Sequence, residues 1–250
     1  SLYRTPPALF PLAHGGAMGY FGYEMGRTLV GLPPGGMPKE PGPPDCWFAF
    51  FSSLLVLDHR AGKTWLVATG QPDPRSRVLA RATLARLARL LAEACTGREE
   101  EKEASPGLLP RRPAVHSLLD RASYTRAVAR AKEYIAAGEI YQVNLSRRIW
   151  TEWTGDPHAL YLRLREASPA PFGAFLRLDE ETALLSASPE LFLRIEDGRV
   201  ETRPIKGTRP RGRTPEEDRR LARELLAEEK ERAELMMVVD LERNDLSRVC

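Results

Sequence analysis

Leu191-Phe-Leu-Arg-Ile-Glu-Asp-Gly-Arg-Val-Glu-Thr-Arg203 is the stretch that decides the fold. Two strand-like runs flank Asp197-Gly198, and Asp-Gly between such runs is a strong local hairpin signal. With a two-residue loop, Glu196 faces Arg199 and, further along, Glu190 faces Ile205. A bulged three-residue loop would set Glu190 opposite Lys206 instead. Upstream lies Ser186-Ala-Ser-Pro-Glu-Leu191, and downstream Arg203-Pro-Ile-Lys-Gly-Thr-Arg-Pro-Arg211. Either register brings an acid and an amine to the open end of one hairpin, a candidate reaction centre.

A lysine attacks only as the neutral amine, so its site must disfavour the ammonium by burial or by nearby positive charge. Arg203, Arg209 and Arg211 are close in sequence, and Gly207 lets a ligand approach the backbone. Glu190 serves as a base or, when buried with its proton, as a general acid. The same pair also fits a plain exposed ion pair at a hairpin mouth, worth under about 1 kcal/mol. Glu231 and Glu234 are three apart and share a helix face; with a third carboxylate they would hold Mg²⁺ through oxygen. Helices rich in Glu and Arg also carry such charges for solvation alone. His14, His59, His116 and His158 form no ligand spacing, and neither a phosphate-binding glycine loop nor a Ser-His-Asp set is evident.

Outward from the hairpin, Phe172–Leu178 and Thr182–Ala187 read as two strands around Asp179-Glu-Glu181. Thr214-Pro-Glu-Glu217 is a capping box with proline at the first helical position, and predicts a helix to about Met237. Val238–Asp245 then leaves that helix through an Asn-Asp turn. Upstream, Asp156-Pro157 opens a short helix ending near Ser168-Pro169, and Ile140–Trp150 alternates like a strand. Tyr124, Val128, Ala131 and Ile135 recur at helical spacing, with Gly138 as the C-terminal cap. Pro74 to about Cys95 is a helix with Leu79, Leu84, Leu87 and Leu91 on one stripe. Trp47–Leu57 and Thr64–Thr69 form a second, buried hairpin around residues 58–63. Gly15–Tyr23 is a strand whose small residues allow close backbone approach. The order is α+β with antiparallel hairpins rather than βαβ winding. The expected division is an N-terminal part over 1–104, an exposed linker over 105–119 and a catalytic region over 120–250.

The totals set bounds. At 250 residues, with 42% hydrophobic and 28% charged side chains, this is a globular composition. A net charge of +3 from 37 basic and 34 acidic groups gives no global pull on nucleic acid. Cys46, Cys95 and Cys250 are odd in number and widely spaced, so a reducing, cytoplasmic setting is expected. No apolar run long enough to span a bilayer is present. The chain has no starting methionine and closes on Arg243–Cys250 without a helix stop, so a fragment cut at both ends is expected.

Six segments, in one order, resemble the chorismate-utilising enzymes, the family of anthranilate synthase component I and aminodeoxychorismate synthase component I. They are Gly19-Tyr-Phe-Gly-Tyr23, Tyr134–Ser146, Ser168-Pro-Ala-Pro-Phe172, Ser188-Pro-Glu190, Arg203-Pro-Ile-Lys-Gly-Thr208 and Arg232–Asp245. The resemblance implies the antiparallel-sheet α/β sandwich of the anthranilate synthase component I type. It also implies Mg²⁺ dependence, chorismate as substrate, and ammonia from a glutamine amidotransferase subunit. Anthranilate synthases carry alanine at the position of Lys206. Isochorismate and salicylate synthases carry a lysine base at the position of Gln142. Lysine at 206 with glutamine at 142 therefore points to the aminodeoxychorismate branch of folate and 4-aminobenzoate biosynthesis.

Residue by residue, the resemblance implies Lys206 as nucleophile on chorismate C2 and Glu190 as acid for the departing 4-hydroxyl. Glu234 matches a Mg²⁺ ligand, and the N–H groups of Gly207 and Thr208 match substrate contacts. Pro169, Pro171 and Phe172 match the segment lining the family's tryptophan pocket. The family's further metal carboxylates and substrate-gripping residues correspond to sequence beyond Cys250, so the 250 residues alone are expected to be inactive and poorly folded. Two alternatives stay open: an anthranilate synthase tolerating lysine at 206, and a non-catalytic tryptophan- or partner-binding relative.

Overall fold

A computed structural model describes residues 16–32, 42–70, 76–96 and 114–250. The expected linker over 105–119 lies outside those residues up to position 113. The chain forms two compact units, Ser1–Asp156 with Leu176–Thr182, and Pro157–Phe175 with Ala183–Cys250.

In the first unit, β1 (Gly16–Phe21) is followed by the short α1 (Met25–Leu29) and pairs antiparallel with β2 (Cys46–Phe51). A Cβ on Gly19 would stand 1.9 Å from the carbonyl oxygen of Trp47, so only glycine fits this approach, as the sequence predicts. The expected single strand over Trp47–Leu57 is instead two: the apolar run divides at Ser52, and β3 (Ser53–Asp58) pairs with β4 (Lys63–Ala68). A continuous apolar run carries no mark of where it changes partner. This region is also not buried as expected, since Phe50, Leu55 and Leu57 are exposed. Helix α2 (Arg77–Thr96) lies against β4 and β3.

After β5 (His116–Ser117) comes α3 (Arg121–Ala136), started by Asp120, whose carboxylate accepts the Ser123 N–H at 2.7 Å. It ends as predicted at Gly138, with φ +76°; Glu139 N–H donates to the Tyr134 carbonyl and Gly138 N–H to that of Ile135. That is the Schellman pattern. The predicted strand over Ile140–Trp150 is regular only at β6 (Ile149–Trp150), which pairs with β5. Residues 141–147 alternate in sequence but are in no strand, and Tyr141 is 90% exposed; Arg148 extends the β6 pairing, its carbonyl accepting the Leu118 N–H at 3.1 Å.

In the second unit, α4 (Pro157–Ala167) leads through Ser168-Pro-Ala-Pro171 to β7 (Phe172–Arg177), which pairs with β8 (Ala183–Ser188). The end of β7 from Leu176 and the turn up to Thr182 belong to the first unit, and there the Asp179 carboxylate accepts from the Glu181 and Thr182 N–H groups. The deciding hairpin follows as β9 (Leu191–Glu196) and β10 (Arg199–Arg203). Helix α5 (Pro215–Ala227) starts at Thr214, whose hydroxyl accepts from Glu217 N–H at 3.2 Å.

That helix does not run to Met237 as predicted. It stops at Glu228, whose ψ of 109° is extended, and α6 (Glu229–Leu246) begins anew. Neither proline nor glycine marks the break, and the Glu228 carboxylate meets Arg209 across the unit. Val238–Asp245 likewise stays helical within α6 rather than leaving as a turn. Among the described residues no apolar side chain is buried.

Candidate active site

The β9–β10 turn is the two-residue loop of the first register. Asp197 and Gly198 both have positive φ, +48° and +75°, as a type I′ turn requires. Arg199 faces Glu196, Val200 faces Ile195 and Glu201 faces Arg194; then the register shifts, and Arg203 faces Leu191. Three steps along β9 against two along β10 place the extra residue on β9, so the bulge sits mid-strand rather than in the loop. Lys206 is therefore not opposite Glu190.

What meets Glu190 is a backbone group. Its Oε1 accepts the N–H of Ile205 at 2.7 Å. Pro204 has no N–H, so Ile205 offers the first free donor after β10. Ser188 steadies the acid's own backbone, its hydroxyl lying 3.4 Å from both the Glu190 N–H and the Glu190 carbonyl.

Lys206 turns the other way, towards α6. Its Nζ is 4.0 Å from Glu234 Oε1, with both side chains about one-third exposed (30% and 38%). The plain Lys206–Glu190 ion pair is thus replaced by two separate contacts. Gly207 has φ +74°, and a Cβ there would stand 2.9 Å from both Glu231 Oε2 and Leu225 Cδ1. The turn after Lys206 is therefore pressed against α5 and α6, and glycine is required on both grounds. Among the described residues, neither the Gly207 nor the Thr208 N–H has a hydrogen-bond partner.

The three arginines expected to crowd Lys206 with positive charge each have a carboxylate. Arg203 Nε lies 2.5 Å from Glu201 Oε1. Arg209 reaches Glu228 at 3.4 Å and Glu231 at 3.9 Å. Arg211 holds Asp218 with two bonds, 2.7 and 2.8 Å, while the Gly212 N–H donates to the same carboxylate at 2.9 Å. Those donors hold the Asp218 carboxyl down to about 2. The residues sequence reasoning passed over are Glu228 and Asp218; for Ile205 and Arg209, which it named, it missed the backbone bond to Glu190 and the carboxylate partners. One signal was available: Glu228, Glu231 and Glu234 recur every third residue, one acidic stripe facing a basic loop.

Glu231 and Glu234 share a face as predicted, but each is engaged by a loop cation, and no group of three or more metal-ligating side chains occurs among the described residues. Pro169 and Pro171 lie exposed in the link between α4 and β7, and Phe172, which opens β7, is 43% exposed. No described helix is long and apolar enough to cross a membrane.

A family model described as chorismate binding enzyme matches residues 2–250. The chain belongs to that family. Anthranilate synthase component 1 of Streptomyces coelicolor is 41% identical over 98% of this chain and 48% of its own length. Aminodeoxychorismate synthase of Streptomyces griseus is 42% identical over 98% of this chain and 33% of its own length. Aminodeoxychorismate synthase component 1 of Salmonella typhimurium is 36% identical over 94% and 47%. The chain thus spans about half, or less, of the length of these relatives. The crystal structure of anthranilate synthase component I from Streptococcus pneumoniae TIGR4 superposes with a TM-score of 0.80 at 29% identity, covering 99% of this chain and 53% of that one. The fold inferred from the family's motifs is the fold found, with its helices and antiparallel hairpins in place.

Proposed function

We propose that this chain carries the lysine-bearing part of an aminodeoxychorismate synthase site. The supporting observation is Lys206 itself: an amine set between an anchored Ile205 and the left-handed Gly207, where anthranilate synthases of the family have alanine. Neutral Lys206 Nζ bonds to chorismate C2, the ring double bond shifts, and the 4-hydroxyl leaves as water with a proton from Glu190. The oxygen of Glu190 not engaged by Ile205 carries that proton. Ammonia then bonds at C4, the C2–N bond breaks, and Lys206 is released with 4-amino-4-deoxychorismate. Assisting a poor leaving group in this way is worth roughly 10²–10⁴-fold. The unpartnered N–H groups of Gly207 and Thr208 suit a substrate oxygen.

Mg²⁺ fits in part. It commonly takes one or two protein carboxylates and completes its shell with water and substrate oxygens. Glu234, with Glu231 a turn away, supplies such donors, and the ion would add positive charge for a chorismate carboxylate. Ammonia would come from a glutamine amidotransferase subunit, in the cytoplasm. Pro169, Pro171 and Phe172 would line one side of a tryptophan site.

The names of the relatives support a second reading, anthranilate synthase, since both activities occur among proteins about equally similar to this chain. Product analysis of the full-length protein with chorismate and ammonia separates the two. 4-Amino-4-deoxychorismate supports the first and anthranilate the second. Mass analysis without ammonia should show a chorismate-derived adduct on Lys206, absent in Lys206→Ala. Undiminished synthesis by Lys206→Ala would reject the nucleophile.

A further inference from the structure

The loop after β10 carries a cation that the proposed chemistry leaves unused. Arg209 Nη1 donates to the carbonyl of Thr208 at 2.8 Å, and its guanidinium reaches Glu228 at 3.4 Å and Glu231 at 3.9 Å. Its side chain is 29% exposed, more enclosed than that of Arg211 or Arg203. Glu231 matters most here. Its Oε2 stands 2.9 Å from the place a residue-207 Cβ would occupy, so its carboxylate lies over the backbone next to Lys206. Glu228 at the start of α6, and Glu231 and Glu234 within it, thus face two loop cations, with Arg209 on Glu228 and Glu231 and Lys206 on Glu234.

We propose that Arg209 is a positioning residue for Lys206, fixing the Thr208–Arg209 peptide just after the Gly207 turn through the Thr208 carbonyl and occupying Glu231 so that Lys206 is not drawn onto it. A planar guanidinium suits this, since its fork serves a carbonyl and two carboxylates together where an ammonium acts as one point charge. Without Arg209, the Glu231 carboxylate beside Gly207 loses its cation, and a displacement of about 1 Å at a reacting group costs on the order of 10²-fold in rate. The kinetic part of this rests on Lys206 being the nucleophile; the effect on the loop does not.

The test compares wild type, Arg209→Met, Arg209→Lys and Arg209→Met/Glu231→Gln in the full-length protein. It reads kcat and KM for chorismate together with amide hydrogen exchange over residues 204–212. Arg209→Met should lower kcat on the order of 10²-fold with KM little changed, and should speed exchange at Ile205, the bonded amide of this loop. Removing the charge of Glu231 should restore kcat on the order of tenfold, and Arg209→Lys should recover part of the loss. Unchanged exchange in Arg209→Met overturns the proposal whatever the reaction proves to be. A kcat loss that Glu231→Gln does not relieve overturns the electrostatic half, leaving Arg209 a fastening only. Should Lys206→Ala remain active while exchange responds as stated, the nucleophile reading fails and the grip of Arg209 stands.

Discussion

Glu190 Oε1 accepts the backbone N–H of Ile205 at 2.7 Å, so the acid of Ser-Pro-Glu is tied to the residue directly before Lys206. This contact gives Glu190 two separable duties, holding the loop and delivering a proton. Glutamine keeps a carbonyl oxygen that can accept the Ile205 N–H but has no acidic proton, and alanine has neither. Glu190→Gln should therefore leave exchange at Ile205 close to wild type while turnover falls roughly 10²–10⁴-fold. Glu190→Ala should lose both. Equal exchange in the two variants would show that the 2.7 Å contact does not hold the loop.

Gly207 is fixed on two independent grounds, its φ of +74° and the 2.9 Å gap to Glu231 Oε2 and Leu225 Cδ1. Left-handed backbone costs a non-glycine residue about 1–2 kcal/mol, before any clash is counted. Gly207→Ala should lower the unfolding midpoint in denaturant and abolish adduct formation at Lys206. A variant with unchanged stability and full adduct yield would mean the turn relaxes freely.

Much of this was legible in the sequence because the signals are local. Asp197-Gly198 fixes a hairpin, Thr214-Pro215 a helix start and Gly138 a helix end, each through the φ or the donor that one residue supplies. The division of the apolar run at Ser52 was not legible, since it depends on which strand β2 and β3 each find. Nor was the break at Glu228, where Ala227-Glu-Glu229 carries no breaker and the kink coincides with a contact from a distant loop. At the site, sequence spacing brought Glu190 near Lys206 but could not say that a backbone N–H would take the carboxylate and Glu234 the amine. Those choices follow from the mid-strand bulge and the placing of α6, both set by tertiary packing.

Exposed apolar surface yields a physical prediction for the 250 residues on their own. Phe192 and Ile195 on β9, and Met236 and Leu241 on α6, all stand exposed. Paired strands with open edges and apolar faces are templates for association. The 250-residue chain should bind an apolar fluorescent dye strongly and enlarge with concentration in sedimentation. A monodisperse chain that ignores the dye would show that these side chains find cover within it.

Asp218 gives the clearest pH prediction. Two bonds from Arg211 and one from the Gly212 N–H favour its ionised form, holding it down to about 2 from an ordinary value of 3.8. Because the folded value is the lower one, this clamp stabilises the native state fully above about 4 and loses that contribution as pH falls from about 4 towards 2. A Cβ on Gly212 would stand 2.2 Å from the Asp218 N–H nitrogen, so the clamp also explains the glycine. Asp218→Asn removes the titrating group, and the variant should be less stable than wild type at neutral pH. The difference between the two should shrink as pH drops from about 4 towards 2. Denaturant unfolding of both proteins across that range reads it directly, and a difference that stays constant with pH would show that the Arg211 pair does not select the ionised form.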